Sequence, residues 1–597
     1  MQLTSIDWIV IFAYFALNLG IGFYYMKRAS GDMSEFFLSG RSVSWWLAGT
    51  SMVATTFAAD TPLVVTGLIY SQGIAGNWFW WSLALSGMLT VFFFAPLWRR
   101  SGVLTDMEFA EIRYSGKPSS FLRGFRAMYL VLVVNMLTMG WVNFAMATIL
   151  RLTLGLGKLE AVFICLGITL VYSTISGMRA VLWTDLVQFV LKMSMVILLA
   201  YFAVHAVGGM HALADKVHEA DKLLGRDSLA LVPVPGSGYF FSFLVLLSVN
   251  WWSGSYPGAE PGGGGYITQR IFSAKDEKNS LAATLWFNVA HYALRPWPWI
   301  LTALVALVVL PNTPDKEGAY ITIMIRYLPP SLRGLMLAGF AAAYMSTVGT
   351  MMNLSASYMI NDVYSRFIRK NAPAHHYVTA SRIATVIVTL ASAIVTCYMT
   401  SIAGAWRFLM AIGAGAGLVF ILRWFWWRIN AWSEISALSA AAVFSTLLQS
   451  RLAMPVIGLL HRIDPTLQLA PLDSSQPHGF AWLMLVTTLL TTITWLSVTF
   501  LTAPEPREKL QAFYNHVRPA ALGWKPFAPA AALREKTLRT NFLHWLLGFS
   551  LIYAVLFGTG NLLFGHIGLG AGQIAFGCAC GAVLFWNLNR LNWTVFK

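Results

Sequence analysis

Charge is scarce in this chain. Asp, Glu, Lys and Arg together make up only 11% of its 597 residues, about half the share of a soluble domain. That excludes a fold with a large water-facing surface. Cysteine is scarce as well. Cys165, Cys397, Cys578 and Cys580 all fall in apolar runs, and Cys578-x-Cys580 has no histidine or second cysteine pair nearby. A disulfide framework and a zinc site are excluded, and the four read as small buried hydrophobes. No GxxxxGKS loop occurs, which excludes nucleotide-driven chemistry within this chain. Loops large enough to fold alone are also missing, the longest being 207–236, 312–331, 460–478 and 503–540. The apolar part has to carry the function.

What is present is hydrophobic sequence, 57% of the chain. Runs long enough to cross a bilayer recur throughout, giving about fifteen expected spans: 5–27, 42–70, 76–98, 125–150, 158–177, 181–206, 237–259, 280–310, 332–364, 380–402, 405–426, 432–458, 479–502, 541–560 and 566–589. The chain is an all-α polytopic membrane protein whose surroundings are lipid. Its net charge of +16 sits in alternate loops, such as Lys27-Arg28, Arg99-Arg100, Lys275 to Lys278, Arg366 to Lys370 and 503–540. That pattern speaks for cytoplasmic loops and against nucleic acid. It places the protein in the plasma (bacterial inner) membrane, with the amino terminus outside and the carboxyl terminus inside. No cleavable signal peptide and no obligatory protein partner are apparent. The 503–540 loop reads as a solvated, headgroup-facing segment without chemistry.

Two spans are interrupted. In 42–70, Thr55, Thr56, Asp60, Thr61 and Pro62 fall in mid-membrane. In the segment from 237, Pro257, Glu260, Pro261 and Gly262 to Gly265 break the helix. Irregular backbone survives in lipid only where protein or a cavity satisfies its polar groups. Two breaks five spans apart point to inverted repeats, 42–206 and 237–430, with a midplane binding site. Residues 1–41, the outer loop 207–236 and the helices of 431–597 are then peripheral.

Ionisable groups in membrane spans default to functional candidates. Here they are Asp60, Asp185, Lys192, Glu260, His291, Arg295 and Arg407. His291 and Arg295 share a helix face, and a structural salt bridge is the competing reading for Arg295 and Asp60. Adjacent Ser346 and Thr347 sit in the small-residue helix 332–364. Taken alone they read as helix glue or as donors to the preceding turn. Together with freed carbonyls, they would also make an oxygen-only site for a hard cation.

Several motifs stand in order. They are Glu35-Phe-Phe-Leu-Ser-Gly-Arg41 before Trp45-Trp46, Thr105-Asp-Met-Glu-Phe-Ala-Glu-Ile-Arg113, Trp183-Thr-Asp-Leu-Val-Gln188 and Tyr266-Ile-Thr-Gln-Arg270. In these the chain resembles the sodium:solute symporter family from about residue 5 to about residue 430. The resemblance implies a LeuT-type core of five plus five helices, with sodium as the coupling ion. It places the sodium ligands on the carbonyls of Ala54, Phe57 and Ala343 and the hydroxyls of Ser346 and Thr347, with Asp185 nearby. The sugar-binding positions of the family fall on Thr61, Trp80, Pro257, Glu260, His291 and Trp406, and none of the sugar ligands is retained. Asp60, Arg295 and Arg407 join these as candidate solute contacts. The expected function is sodium-coupled symport of a small organic solute, a sugar or small charged metabolite, and not an enzymatic reaction. Proton coupling on the same fold, a membrane sensor and an intramembrane enzyme are the competing readings.

Overall fold

The computed structural model describes residues 3–29, 38–175, 178–532 and 537–596. The stretch Glu35 to Phe37 of the first motif, and Ser176-Gly177 before the Trp-Thr-Asp motif, lie outside the described residues. Every regular element among the described residues is helical, apart from one isolated bridge between Val43 and Ala274. Among the described residues, ten helices are long and apolar enough to cross a membrane, or up to twelve if each of two bent pairs is one span. The remaining expected spans fall on Ser5–Ala29, Lys158–Ile175 and a shorter apolar stretch, Phe240–Ser253.

The elements that position the site are few. Helix α1 (Trp45–Thr56) stops at a break and resumes as α2 (Thr61–Gln72), bent by 56°. Pro62 explains the restart, since it lacks an N–H and fits the first turn of a new helix. Helix α3 (Met178–Ala206) follows in the first half. The second interrupted segment leaves helical geometry at Gly254 and restarts as α4 (Gly265–Ser273). Beyond it run α5 (Glu277–Val289), α6 (Pro296–Val309) and α7 (Leu332–Ser357). A further bent pair, α8 (Ile402–Ile412) and α9 (Ala416–Phe425), turns by 52°.

Lipid offers no hydrophobic drive between helices, so close approach depends on small residues. Gly49 of α1 lies against α5, where an added Cβ would come within 2.6 Å of the Ala283 carbonyl oxygen. Helix α3 packs on α1, α6 and α7 together. The second break is shaped by backbone that side chains disfavour. Gly258 has φ 93° and Gly262 has φ 78°, values glycine adopts without steric cost. A Cβ on Gly258 would collide with the Tyr266 hydroxyl, and one on Gly262 with the Phe420 carbonyl.

The 503–540 segment departs from the expectation of a solvated loop. Its helix Arg507–Val517 buries Leu510, Phe513, Tyr514 and Val517. These recur every three to four positions, so the helix has one apolar face. Phe513 and Trp524 flank the buried Arg113 guanidinium at 5.3 and 4.8 Å. The Trp524 indole also donates to the Trp424 carbonyl, 2.8 Å away. Residues 507–524 thus dock on the helices that carry Arg113 and Trp424.

Candidate functional site

The site forms where α1 ends. The last carbonyls of a helix have no partner within it, and they form its negative pole. Here two cationic side chains and a hydroxyl cover them. Lys192 Nζ donates to the Ala54 and Phe57 carbonyls at 2.8 and 3.0 Å. Arg295 donates to Val53 and Thr56 at 3.3 and 3.4 Å. Thr347 Oγ1 donates to Thr55 at 2.7 Å and to Ala343 at 3.1 Å. Lys192 and Arg295 also lie over the Phe57 ring, at 5.1 and 5.5 Å.

One turn earlier on α1, a second cluster surrounds Asp185. Ser51 and Ser346 both donate to its carboxylate, Ser346 at 2.6 Å. Arg270 reaches it at 3.7 Å and donates to the hydroxyls of Ser51, Thr55 and Thr350. Asp185 and Arg270 are both essentially fully buried. One carboxylate therefore joins α1, α3, α4 and α7. A buried pair of this kind holds its helices in register, because breaking it strands a charge away from water.

The six residues Ala54, Phe57, Ala343, Ser346, Thr347 and Asp185 thus lie together, as the family resemblance implies. Their chemistry is all oxygen, which suits sodium. Their geometry does not, because the Lys192 ammonium already holds the Ala54 and Phe57 carbonyls. A sodium ion about 4 Å from that ammonium would meet roughly 4 kcal/mol of repulsion at an effective dielectric of 20. The carbonyl half of the expected sodium site is taken. Sequence reasoning named Lys192 as a membrane-embedded charge without placing it. The signal was its position two helical turns after Asp185, on the same face.

Beside the end of α1 lies a small cavity, between the two breaks. Thr61, Trp80, Pro257, His291, Arg295 and Trp406 line it, together with Thr56, Tyr256 and Tyr292. Trp80 stacks on Tyr292 and meets His291 edge-on, with ring centroids 5.9 and 5.7 Å apart. Tyr256 stands between Trp141 and Trp406, at 6.3 and 5.1 Å. His291 sits in a π-helical turn, Ala290–Leu294, a distortion that often re-aims functional side chains. Its Nε2 pairs with Arg295 at 3.3 Å. His291 Nδ1 and Arg295 Nε are buried without a protein partner. The cavity therefore offers aromatic faces, and two of the residues lining it carry a buried nitrogen without a protein partner.

The other candidates lie elsewhere. Asp60 is buried in the first break, next to the Trp406 indole, and does not line the cavity. Glu260 folds back on its own loop, where it accepts from the Gly258 N–H at 3.1 Å, and faces a different cavity with Asp106 and Arg126. Arg407 turns away from the cavity, donates to the Ser475 carbonyl at 2.6 Å and covers the Phe79 ring. Arg270, Tyr256 and Tyr292 were not named as site residues from sequence, and Lys192 was named without its partners.

Interrupted helices that meet around a membrane-buried polar site define a secondary transporter rather than an enzyme. The comparisons narrow this class. Residues 36–440 match the sodium:solute symporter family, and the chain belongs to that family. It is 25% identical over 486 residues to the sodium/glucose cotransporter of Vibrio parahaemolyticus, covering 76% of this chain and 87% of that one. It is 26% identical over 476 residues to sodium/glucose cotransporter 1 of Oryctolagus cuniculus, covering 72% and 69%. Among solved structures, a Na+-coupled sialic acid symporter aligns over 85% of this chain and all of its own, with a TM-score of 0.65 and 18% identity. That likeness is one of fold.

Proposed function

We propose that the protein is a sodium-coupled symporter that carries a small organic solute across the membrane by alternating access. The observation that carries this reading is the cavity between the two breaks. Its walls come from both halves of the chain, and two of its lining residues, His291 and Arg295, carry buried nitrogens with no protein partner. Trp80, Tyr256, Tyr292 and Trp406 present rings against which a planar or sugar-like face packs. His291 and Arg295 favour a solute rich in acceptor oxygens. Sodium as the driving ion is supported by membership in the family. Asp185 and Ser346 supply the carboxylate and hydroxyl nearest to where it would act. Solute in the cavity would close the two breaks on each other. The equilibrium between outward and inward states then shifts only as far as solute and ion prefer one state.

The membrane topology follows the charge pattern, with the amino terminus outside and the carboxyl terminus in the cytoplasm of a plasma membrane. Residues 42–206 and 237–430 serve as the two repeats, and 431–597 as the peripheral helices. The test is a thermal-shift screen of purified protein against sugars, amino acids and carboxylates, with sodium or choline. Hits are then followed as uptake into proteoliposomes under a sodium gradient. A solute should stabilise the protein by mass action, and more so in sodium. Binding without gradient-driven uptake would refute symport.

A further inference from the structure

We propose that the carbonyl pair of Ala54 and Phe57 takes no sodium, because the Lys192 ammonium is the permanent cation of that position. This rests on the symport reading of the same region. Three observations carry it. First, Lys192 Nζ meets both carbonyls at ordinary hydrogen-bond lengths, 2.8 and 3.0 Å, from a fully buried position on α3. Second, neither hydroxyl of the expected ligand set donates to these two carbonyls. Ser346 donates to Asp185, and Thr347 spans Thr55 and Ala343. Third, a built-in anion and an aromatic ring accompany the ammonium. Asp185, itself held by Arg270, favours it, and the Phe57 ring lies 5.1 Å away, while Arg295, backed by His291, opposes it and lies 5.5 Å from the same ring.

A tethered ammonium can do part of what a free ion does. It neutralises the negative pole of α1 and ties that helix to α3. It cannot do the other part, because it never crosses the membrane and releases no gradient energy. Any ion that drives transport must therefore bind apart from these two carbonyls, and the Asp185–Ser346 side is the available one. Lys192 is a positioning residue in this account: it fixes how many ions the protein takes and where.

The experiment counts sodium on purified protein in detergent, with no solute present. Equilibrium binding of radioactive sodium is measured for the native chain, Lys192→Ala and Lys192→Met, alongside melting in sodium and in choline chloride. Removing the ammonium frees two carbonyls, so Lys192→Ala should bind about one more sodium per chain than the native protein and regain in sodium the stability it loses in choline. Lys192→Met fills the space with an apolar chain and should lose stability in both salts. Equal sodium counts for native protein and Lys192→Ala overturn the proposal, as does sodium-independent melting of Lys192→Ala. Should neither variant fold, acetic anhydride labelling of the native chain decides. Lys192 should stay equally protected in sodium and choline, and labelling that rises with sodium means the ion displaces it and overturns the proposal. None of these outcomes bears on solute uptake, so symport stands or falls separately in proteoliposomes.

Discussion

The Ser346 hydroxyl donates to Asp185 Oδ1 across 2.6 Å, and through it α7 is fastened to α3. Ser51 and Arg270 reach the other carboxylate oxygen, so α1 and α4 share the same anchor. Asp185→Asn keeps an acceptor for the hydroxyls but leaves Arg270 as a buried unpaired charge. A loss of about 3–5 kcal/mol is expected, visible as a large fall in melting temperature, along with loss of sodium-stimulated uptake. A variant as stable as the native protein would show that Arg270 does not depend on this partner.

Thr347 and Ser346 make separable contributions. Thr347→Ser keeps the bond to the Thr55 carbonyl and should behave like the native protein. Thr347→Ala strands a carbonyl at the end of α1, a cost of about 1–3 kcal/mol. The double change Ser346→Ala with Thr347→Ala should abolish sodium-stimulated uptake in proteoliposomes. Unchanged uptake with unchanged sodium dependence would remove both hydroxyls from the coupling machinery.

Arg295 is needed as arginine. Its fork reaches two carbonyls of α1 and His291 at once, and a lysine cannot reproduce that planar set. Arg295→Lys should weaken solute binding roughly tenfold or more, on the order of 1.4 kcal/mol. The sodium count should stay at the native value. A titration of solute-induced melting shift measures the first and radioactive sodium binding the second.

Gly417 marks where α9 crosses the second broken segment. A Cβ there would run into the Trp252 carbonyl and come within 2.8 Å of the Pro261 ring. Gly417→Ala should cost about 1–3 kcal/mol through overpacking and displace the cavity wall formed by Pro257 and Gly258. Solute affinity should fall with little change in sodium binding. Native affinity in this variant would mean the two segments move apart freely.

The 460–478 loop carries an acid-sensitive contact. Partial burial would raise the Asp464 pKa, but hydrogen bonds from Thr466, Trp482 and His478 outweigh it and hold the carboxyl at about 2. A lowered pKa means the stabilisation is complete above the unfolded value of about 4 and is lost as pH falls towards 2. Between those limits the native melting temperature should fall more steeply than that of Asp464→Asn. Parallel curves would discount this loop as a source of acid lability.

Much of this arrangement was legible in the sequence where a local rule governed it. Pro62 and the Pro257 to Gly265 run announced both breaks, and the helical phase of Ser346 and Thr347 put both on one turn of α7. What was not legible is direction over long range. Arg407 and Glu260 had the right depth but turn away from the cavity, Arg407 to the Ser475 carbonyl and Glu260 to its own loop. Lys192 had the right face, but its reach depends on how closely α3 packs on α1, which no local pattern encodes. The docking of 507–517 was written in the spacing of Leu510, Phe513, Tyr514 and Val517. Its basic residues drew attention to solvent instead.

The backbone at Gly258 carries a consequence for how the protein can diversify. The stretch of cavity wall there cannot be retuned by substitution, because every replacement meets the Tyr266 hydroxyl first. New solute preferences must arise on the opposite wall, at Trp80, His291 and Trp406. The pocket thus has one face frozen by stereochemistry and one free to drift. Relatives with different solutes should differ mainly on the second, and a library built to change specificity belongs there.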